Sequence, residues 1–386
     1  MDFDLNEELR LVRDTAGRFA AEEIAPTLEE EERKGEFRAE RVAKMGALGF
    51  FSCGLPEEFG GSGMGLLASV LMAEEIAKVS ASWRLPFNMQ NLGPALTVNK
   101  FGTAEQKKKY IPGWVAGTSL GFFAMTEAGT GSDVAGMKTY ALDRGGHWEV
   151  HGGKMWISQA QVGDAGLLYA LTDRTAGAKG MTAFIIEPKK MAGCSSRPIE
   201  TKLGLHCAPT GEFSFDGMRV PKENVLGHPG EGFRVCMWQL NQTRLGCAAG
   251  ALGVAGAALD LAVKYANERV QFGKPIASHQ LVQGQIADMA VRHQAAQLLV
   301  YKAAWLKDQG KPSQYETSAA KYAASEAAVH AAGECMKIYG SYGFSSEYPV
   351  ERLFRDSKSL QVVEGTSNIQ KLIISGMALG LTPNRE

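Results

Sequence analysis

The sequence predicts an α+β chain: a helical block, a small β unit, then a second helical block. Three observations predict it. Apolar residues recur at spacings of three and four near the start, and helical patterning returns from about Gly232 onward. Between these blocks lie short aromatic and aliphatic segments separated by Gly-containing turns, the pattern of a small antiparallel unit. Elements grouped in blocks argue against the strict β-α alternation of a doubly wound nucleotide fold. No GxGxxG follows a strand, so a Rossmann dinucleotide site is unsupported.

The elements follow in order. Leu5, Leu9, Val12, Ala16 and Phe19 form one apolar stripe among Glu, Arg and Asp. The stretch LPEEFGGSG at 55–63 breaks the pattern, as Pro and Gly clusters do. Helical periodicity resumes over 66–79 and again before Pro112. Strands are expected at 148–151, 167–171, 182–186 and 213–216, with turns at Gly145-Gly146, Gly152-Gly153 and Asp216-Gly217. Long Ala-rich helices are expected over 248–270 and 319–338, and shorter ones over 355–361 and 369–378. This divides the chain into a helical domain at 1–120, a β domain at 121–230 and a helical domain at 231–386.

The bulk numbers exclude several function classes. A chain of 386 residues suits two or three packed units. Hydrophobic content of 45%, charged content of 22% and net charge −1 describe an ordinary globular protein with no global field for nucleic acid or anionic membrane. No apolar run is read as a membrane span, and the acidic start Met1-Asp2-Phe3-Asp4 leads directly into an amphipathic pattern, with no signal or transit peptide evident. Six scattered cysteines form neither CxxC pairs nor metal-ligand spacings, as expected of buried thiols in a reducing cytoplasm, and no metal site is expected.

Three segments carry candidate chemistry. Val363-Glu364-Gly365-Thr366-Ser367-Asn368-Ile369-Gln370 lies between two helix-like segments and places a carboxylate beside a flexible backbone, as a general base approaching a substrate carbon requires. Alone, it equally fits a solvated loop carboxylate. Residues 123–133, FAMTEAGTGSD, offer small residues, hydroxyls and backbone N–H groups that suit a polar ring edge and a pyrophosphate; alone, they fit a surface loop better. Lys154-Met155-Trp156-Ile157-Ser158 sets a tryptophan near a hydroxyl, which suits a flavin, although a strand tryptophan is usually core.

Together these motifs resemble those of the acyl-CoA dehydrogenases, FAD-dependent enzymes that introduce an α,β double bond into acyl-CoA thioesters. The likeness runs through LPEEFGG at 55–61, MTEAGTGSD at 125–133, KMWIS at 154–158, ERVQFGKPI at 268–276 and RLFRDSKSLQVVEGTSNIQ at 352–370. It implies an N-terminal helical domain, a middle β domain and a C-terminal four-helix bundle assembled as a homotetramer. It also implies an acyl-CoA substrate and an electron-transferring flavoprotein as acceptor. By this resemblance Met125, Thr126, Gly131 and Ser132 hold flavin and pyrophosphate, with Ser132 also on the pantetheine. Trp156 and Ser158 flank the isoalloxazine; serine replaces the usual threonine and keeps its hydroxyl. Arg269, Phe272 and Gln280 reach the FAD of a neighbouring subunit. The turn from Lys337 through Gly340 to Ser341 is a further FAD contact, and Thr366 and Asn368 lie near its ADP part. Lys337 stands where glutamine is usual and Ser341 where a second glycine is usual; the lysine could pair with the pyrophosphate, or the adenosine end could be held differently. Glu364 matches the catalytic base. The alternative base position, in the segment Asn241-Gln242-Thr243-Arg244, holds no carboxylate. Asn241, Arg244 and Gly365 are expected against the substrate.

The acyl group is suggested by Arg84, in Val79-Ser80-Ala81-Ser82-Trp83-Arg84. Glutaryl-CoA dehydrogenases have an arginine in the matching stretch that binds the distal carboxylate of the substrate, a pairing that suits a guanidinium far better than an alkyl tail does. Decarboxylating members have a tyrosine where this chain has Val363 and a glutamate where it has Ala77; non-decarboxylating members have small apolar residues at both. The resemblance therefore implies glutaryl-CoA oxidised to glutaconyl-CoA with CO2 retained. One alternative is a branched or alicyclic acyl-CoA with Trp83, Phe87 and Met89 lining its pocket. A remoter one is a DNA-binding relative, disfavoured because the tail at 379–386 has no basic cluster.

Overall fold

The structure, a computed structural model, describes residues 4–384; the acidic start at 1–3 and the last two residues of the tail lie outside that range. The first block comprises α1 (Glu7–Phe19), α2 (Leu28–Lys34), α3 (Glu40–Ala47), α4 (Leu66–Val79), α5 (Ala81–Leu92), α6 (Pro94–Phe101) and α7 (Ala104–Val115). Asn6 starts α1 by accepting from the N–H of Leu9, and a Thr103/Gln106 capping box starts α7. The expected stripe on α1 turns inward, with Ala16 and Phe19 buried and Leu9 and Val12 packed against them. Helix α4 has the expected bounds. Helix α5 was not legible in the sequence because it contains Pro86; Ser80 caps it through the N–H of Trp83, and all its residues are buried.

The middle block comprises β1 (Gly121–Ala124), β2 (Tyr140–Asp143), β3 (His147–Ser158), β4 (Ala165–Leu171), β5 (Met181–Ile186), β6 (Cys194–Pro198), β7 (Thr210–Pro221) and β8 (Val225–Leu226). They form one sheet in the order β6-β7-β3-β2-β4-β5-β8, with β1 also on β4. The sheet is mainly antiparallel as expected, but β1 and β2 each meet β4 in parallel. Both neighbours reach β4 after a crossover, a connection that local strand patterning does not reveal. Strand β4 reads as an unbroken apolar run because both its faces are covered. Leu167, Tyr169 and Leu171 face the side packed by α6, α7 and the next helix, and Leu168 and Ala170 face a core built from other strands.

The last block comprises α8 (Gly232–Glu268), a hairpin of β9 (Val270–Gln271) and β10 (Lys274–Pro275), then α9 (Gln280–Asp308), α10 (Gln314–Tyr339), α11 (Val350–Val362) and α12 (Ser367–Ala378). Helices α8, α9, α10 and α11 form the bundle, and α12 lies on α10. The expected helix over 248–270 begins earlier and stops at Glu268, because Val270 belongs to the hairpin. Contrary to the sequence reading, α8 is long and apolar enough to cross a membrane by length and composition, but most of its apolar stretch is buried in this fold. Its neighbours α4, α5, α9 and α10 cover it. The six cysteines are free; five are buried and Cys194 is half-buried.

A buried ion pair anchors the start of α5. Arg41 on α3 donates to both oxygens of Glu31 at 2.8 and 2.9 Å, and its guanidinium lies 4.3 Å over the ring of Trp83. The indole N–H of Trp83 donates to Glu31 at 3.0 Å. This network fixes the first turn of α5, one residue before Arg84. Removing one partner strands the other as a buried charge. Arg41→Ala should destabilise the protein by about 3 kcal/mol, the low end for a broken buried pair, because Arg38 still reaches Glu31. A urea-unfolding shift below about 1 kcal/mol would show the pair to be dispensable.

Candidate functional site

Helix α11 ends at Val362 and α12 begins at Ser367, and the chain between them turns through two left-handed residues, Glu364 (φ 58°) and Gly365 (φ 89°). A glutamate in that region is uncommon and persists where its surroundings over-determine it. Position 365 favours glycine for its φ, and a Cβ there would come within 2.5 Å of Nε2 of Gln370 and displace that amide. Thr366 then caps α12 by accepting from the N–H of Ile369.

Donors from three helices hold this turn. Nε of Arg244 on α8 donates to the Glu364 carbonyl at 3.0 Å. Nζ of Lys321 on α10 donates to the Gly365 carbonyl at 2.8 Å. The side-chain amide of Gln370 on α12 donates to both carbonyls, at 3.3 and 2.8 Å. The Thr243 hydroxyl, also on α8, donates to Oε2 of Glu364 at 2.7 Å. The N–H of Glu364 makes no hydrogen bond to another described residue. Burial pushes the Glu364 carboxyl above its usual range, against the opposing pull of Thr243 and of the charges on Arg244, Arg84 and Lys321. Desolvation likewise lowers the Arg244 pKa, while the Glu364 charge supports its protonated form.

Arg84 enters from α5. It is 1% exposed, and its Nε and Nη2 have no hydrogen-bond partner among the described residues. It lies close enough for its charge to bear on Glu364. A glycine in α8 makes room for it, since a Cβ on Gly250 would come within 2.7 Å of its Cδ and Nε. Asn241, one turn before Arg244 on α8, has both amide atoms buried and unpartnered among the described residues. Ala77 is buried against α8, where Gly253 admits it, and Val363 packs on the apolar core.

A second group assembles around the β domain. In β3 the register against β7 shifts between Lys154 and Ile157, a bulge that leaves Trp156 at φ 62° and 52% exposed. A strand tryptophan that would ordinarily enter the core is thereby turned outward. The N–H of Met155 donates to the Thr126 carbonyl at 2.8 Å, so Met125, Thr126, Trp156 and Ser158 share one wall. Behind it, buried Lys154 donates to Glu127 at 2.8 Å and to the Met125 carbonyl at 2.9 Å. Burial opposes ionisation of Glu127, but Lys154 and the N–H groups of Lys138 and Thr139 outweigh it and hold the carboxyl below its usual range. Gly131 and Ser132 are exposed at the rim. An outward indole beside hydroxyls and a glycine-rich loop fits the ring and phosphates of FAD.

The remaining expected cofactor residues stand apart. Phe272 is 93% exposed at φ 53°, in a two-residue turn whose first position normally favours Asn, Asp or Gly. Arg269 lies 5.8 Å from the ring of Tyr342, which brings it beside the Gly340–Phe344 turn containing Ser341. Gln280 is exposed at the start of α9. No hydrogen bond, ion pair or ring contact joins these described residues to the Trp156 wall. Lys337 is bonded to Glu334 one turn back at 2.6 Å. Thr366 is half-buried and Asn368 exposed at the start of α12.

Sequence reasoning did not single out Thr243, Lys321, Gln370, Glu127 or Lys154. One signal was available: Lys321 interrupts an Ala-rich apolar helix, where a cation needs a partner. Thr243, Glu127 and Lys154 meet partners far along the chain, and Gln370 reaches its nearby carbonyls only through the geometry of the turn.

Comparison with known proteins agrees with this arrangement. Family models described as acyl-CoA dehydrogenase N-terminal, middle and C-terminal domains match residues 6–118, 122–218 and 230–379. A glutaryl-CoA dehydrogenase of Desulfococcus multivorans is 46% identical, with 99% of each chain covered. A mitochondrial short-chain specific acyl-CoA dehydrogenase of Mus musculus is 40% identical over 97% of this chain and 91% of its own. A solved glutaryl-coenzyme A dehydrogenase in complex with glutaryl-CoA superposes with a TM-score of 0.97 at 44% identity, covering 100% of this chain and 98% of its own. The chain belongs to the acyl-CoA dehydrogenase family, FAD-dependent oxidoreductases acting on the CH–CH bond of acyl-CoA thioesters.

Proposed function

We propose that the protein oxidises glutaryl-CoA to glutaconyl-CoA and retains the distal carboxylate. The observation that carries this reading is Arg84: a buried guanidinium with unpartnered nitrogens, set beside the Glu364 turn. An unpaired buried cation is costly, and a terminal carboxylate on the acyl chain would relieve that cost. The close similarity to short-chain enzymes keeps an uncharged acyl group as the second reading, although of the residues expected to line its pocket Trp83 is engaged by Glu31, Arg41 and Phe37 and Phe87 packs on Phe51.

In this reading Glu364 removes the α-proton of the thioester. Its raised pKa makes it a stronger base than a solvated carboxylate. Its own N–H is available to a thioester oxygen, where it would stabilise developing negative charge. Arg244 and Asn241 flank the substrate, with Gly365 against it and Ser132 on the pantetheine. When bound, FAD would supply the redox chemistry, as acceptor of a hydride equivalent from the substrate. Met125, Thr126, Gly131, Ser132, Trp156 and Ser158 would hold its ring and pyrophosphate. Arg269, Phe272 and Gln280, exposed in one chain, are assigned to the FAD of a neighbouring copy in a homotetramer; Lys337, Gly340 and Ser341 are a further FAD contact, and Thr366 and Asn368 lie near the ADP part of the cofactor. Lys337 is already engaged by Glu334, which favours a different hold on the adenosine end over pairing with pyrophosphate. The domains at 1–120, 121–230 and 231–386, a cytoplasmic location and an electron-transferring flavoprotein acceptor complete this reading.

Loss of CO2 would require the distal carboxylate to be released from its cation. Val363 and Ala77 have no hydrogen-bonding side chain to share Arg84, so its ionic hold favours retention.

Glu364→Gln should keep FAD and bind acyl-CoA but lose flavin reduction by more than the roughly 10²–10⁴-fold usual for one acid–base group. Near-normal reduction would place the base elsewhere. In the unaltered enzyme the rate should fall as pH drops through the raised Glu364 pKa, because the base acts only when ionised. An acid limb within the ordinary carboxylate range would contradict that environment.

Glutaryl-CoA should exceed butyryl-CoA in kcat/KM by at least about tenfold, and Arg84→Ala should shrink or reverse the ratio. Preference of the unaltered enzyme for butyryl-CoA or a cyclic acyl-CoA would favour the second reading.

Mass spectrometry after one anaerobic turnover of glutaryl-CoA should find glutaconyl-CoA. Crotonyl-CoA and CO2 as dominant products would overturn carboxylate retention.

A further inference from the structure

Lys321 lies on α10, is 0% exposed and donates its one hydrogen bond within the described residues to the Gly365 carbonyl. A fully buried ammonium with a single acceptor is an expensive feature with no need in an Ala-rich helix packed on α8. What it reaches is the backbone unit next to Glu364, where both φ angles are positive. The Gly365 carbonyl is held by Lys321 and Gln370, and the Glu364 carbonyl by Arg244 and Gln370. With both carbonyls held from α8, α10 and α12, the two peptide units that follow the Glu364 Cα are fixed, and the side chain at that Cα is confined with them.

We infer that Lys321 is a positioning residue for the reaction: it clamps the left-handed Glu364–Gly365 turn and sets the charge environment of the carboxylate without touching substrate. This rests on Glu364 acting as the base. The charged or titratable groups that bear on the pair are Arg84 from α5, Arg244 and Cys247 from α8, and Glu326 from α10 itself. Desolvation lowers the Lys321 pKa while the Glu364 charge supports its protonated form. Lys321 is one of three cations opposing the burial-driven rise at Glu364. Removing its charge must therefore raise the Glu364 pKa further and move the acid limb to higher pH.

The test is anaerobic flavin reduction by the FAD-loaded enzyme, measured against pH with saturating and half-saturating glutaryl-CoA and with butyryl-CoA in parallel. Lys321→Met should lower the plateau rate at least about tenfold and change half-saturation less than about threefold. Its acid limb should move to higher pH. Lys321→Gln keeps a donor without the charge, so its limb should move similarly while part of the plateau returns. Gln370→Met removes a neutral donor from the same carbonyls, so it should lower the plateau and leave the limb in place. An unmoved limb in both Lys321 variants overturns the inference, whether activity is intact or FAD content and thermal midpoint fall together. If Lys321→Met does not fold, the Lys321→Gln and Gln370→Met profiles decide the matter by the same criteria. Glu364→Gln run alongside separates the failures: near-normal reduction there removes the base itself. Loss there with unmoved limbs in the Lys321 variants removes only the positioning role.

Discussion

The site depends on a two-residue left-handed turn that the rest of the bundle forces on the chain. Glu364 would not choose φ 58° by itself, and the interhelical link is too short to relax into another path. Arg244, Lys321 and Gln370 oppose that relaxation by engaging its carbonyls from three helices. Packing of α8, α10 and α12 is therefore a condition for aiming one carboxylate. This explains why long helices far from any chemistry carry buried polar side chains at particular turns.

The same arrangement concentrates positive charge. Arg84, Arg244 and Lys321 are buried within electrostatic reach of a single carboxylate, and two nitrogens of Arg84 have no partner among the described residues. Each buried ion carries a desolvation cost of several kcal/mol, so a surplus of cations is not a stabilising device. It suits a site that receives an anionic group and builds negative charge on a neighbouring oxygen. Glycines on α8 make the arrangement possible by admitting Arg84 and Ala77 to the helix backbone.

The β domain uses a different device for a related purpose. A bulge turns Trp156 outward, and the buried Lys154–Glu127 pair ties that bulge to the glycine-rich loop. The wall is thus a strand interrupted at a chosen residue and braced from behind. Phe272 repeats the theme in a hairpin turn that exposes an aromatic ring on strained backbone.

The sequence by itself determined the block order of helices and strands, the bounds of α4, parts of β3, β4, β5 and β7, and the motifs that mark the family. Those features are local: hydrophobic period, turn residues and contiguous motif strings carry them. Strands β1, β2, β6 and β8 were not expected, and the turns expected at Gly152-Gly153 and Asp216-Gly217 lie inside β3 and β7, where strand pairing overrides the local preference of glycine. The sequence also drew attention to Glu364 and Arg84, because each is an ionisable residue inside a recognisable stretch. Helix α5 was hidden by Pro86, whose local preference is overruled by burial on every side. The parallel pairings to β4 were hidden because strand direction is settled by the crossover path. Only the tertiary structure decided that Arg84 is buried with unpartnered nitrogens, that Trp156 points out of its strand, and that Thr243, Lys321 and Gln370 converge on the Glu364 turn. Thr243 and Lys321 lie more than forty residues from the atoms they bond. Gln370 is only a few residues away, yet its approach depends on the turn geometry. No periodicity or motif records a contact that exists only once the helices have packed.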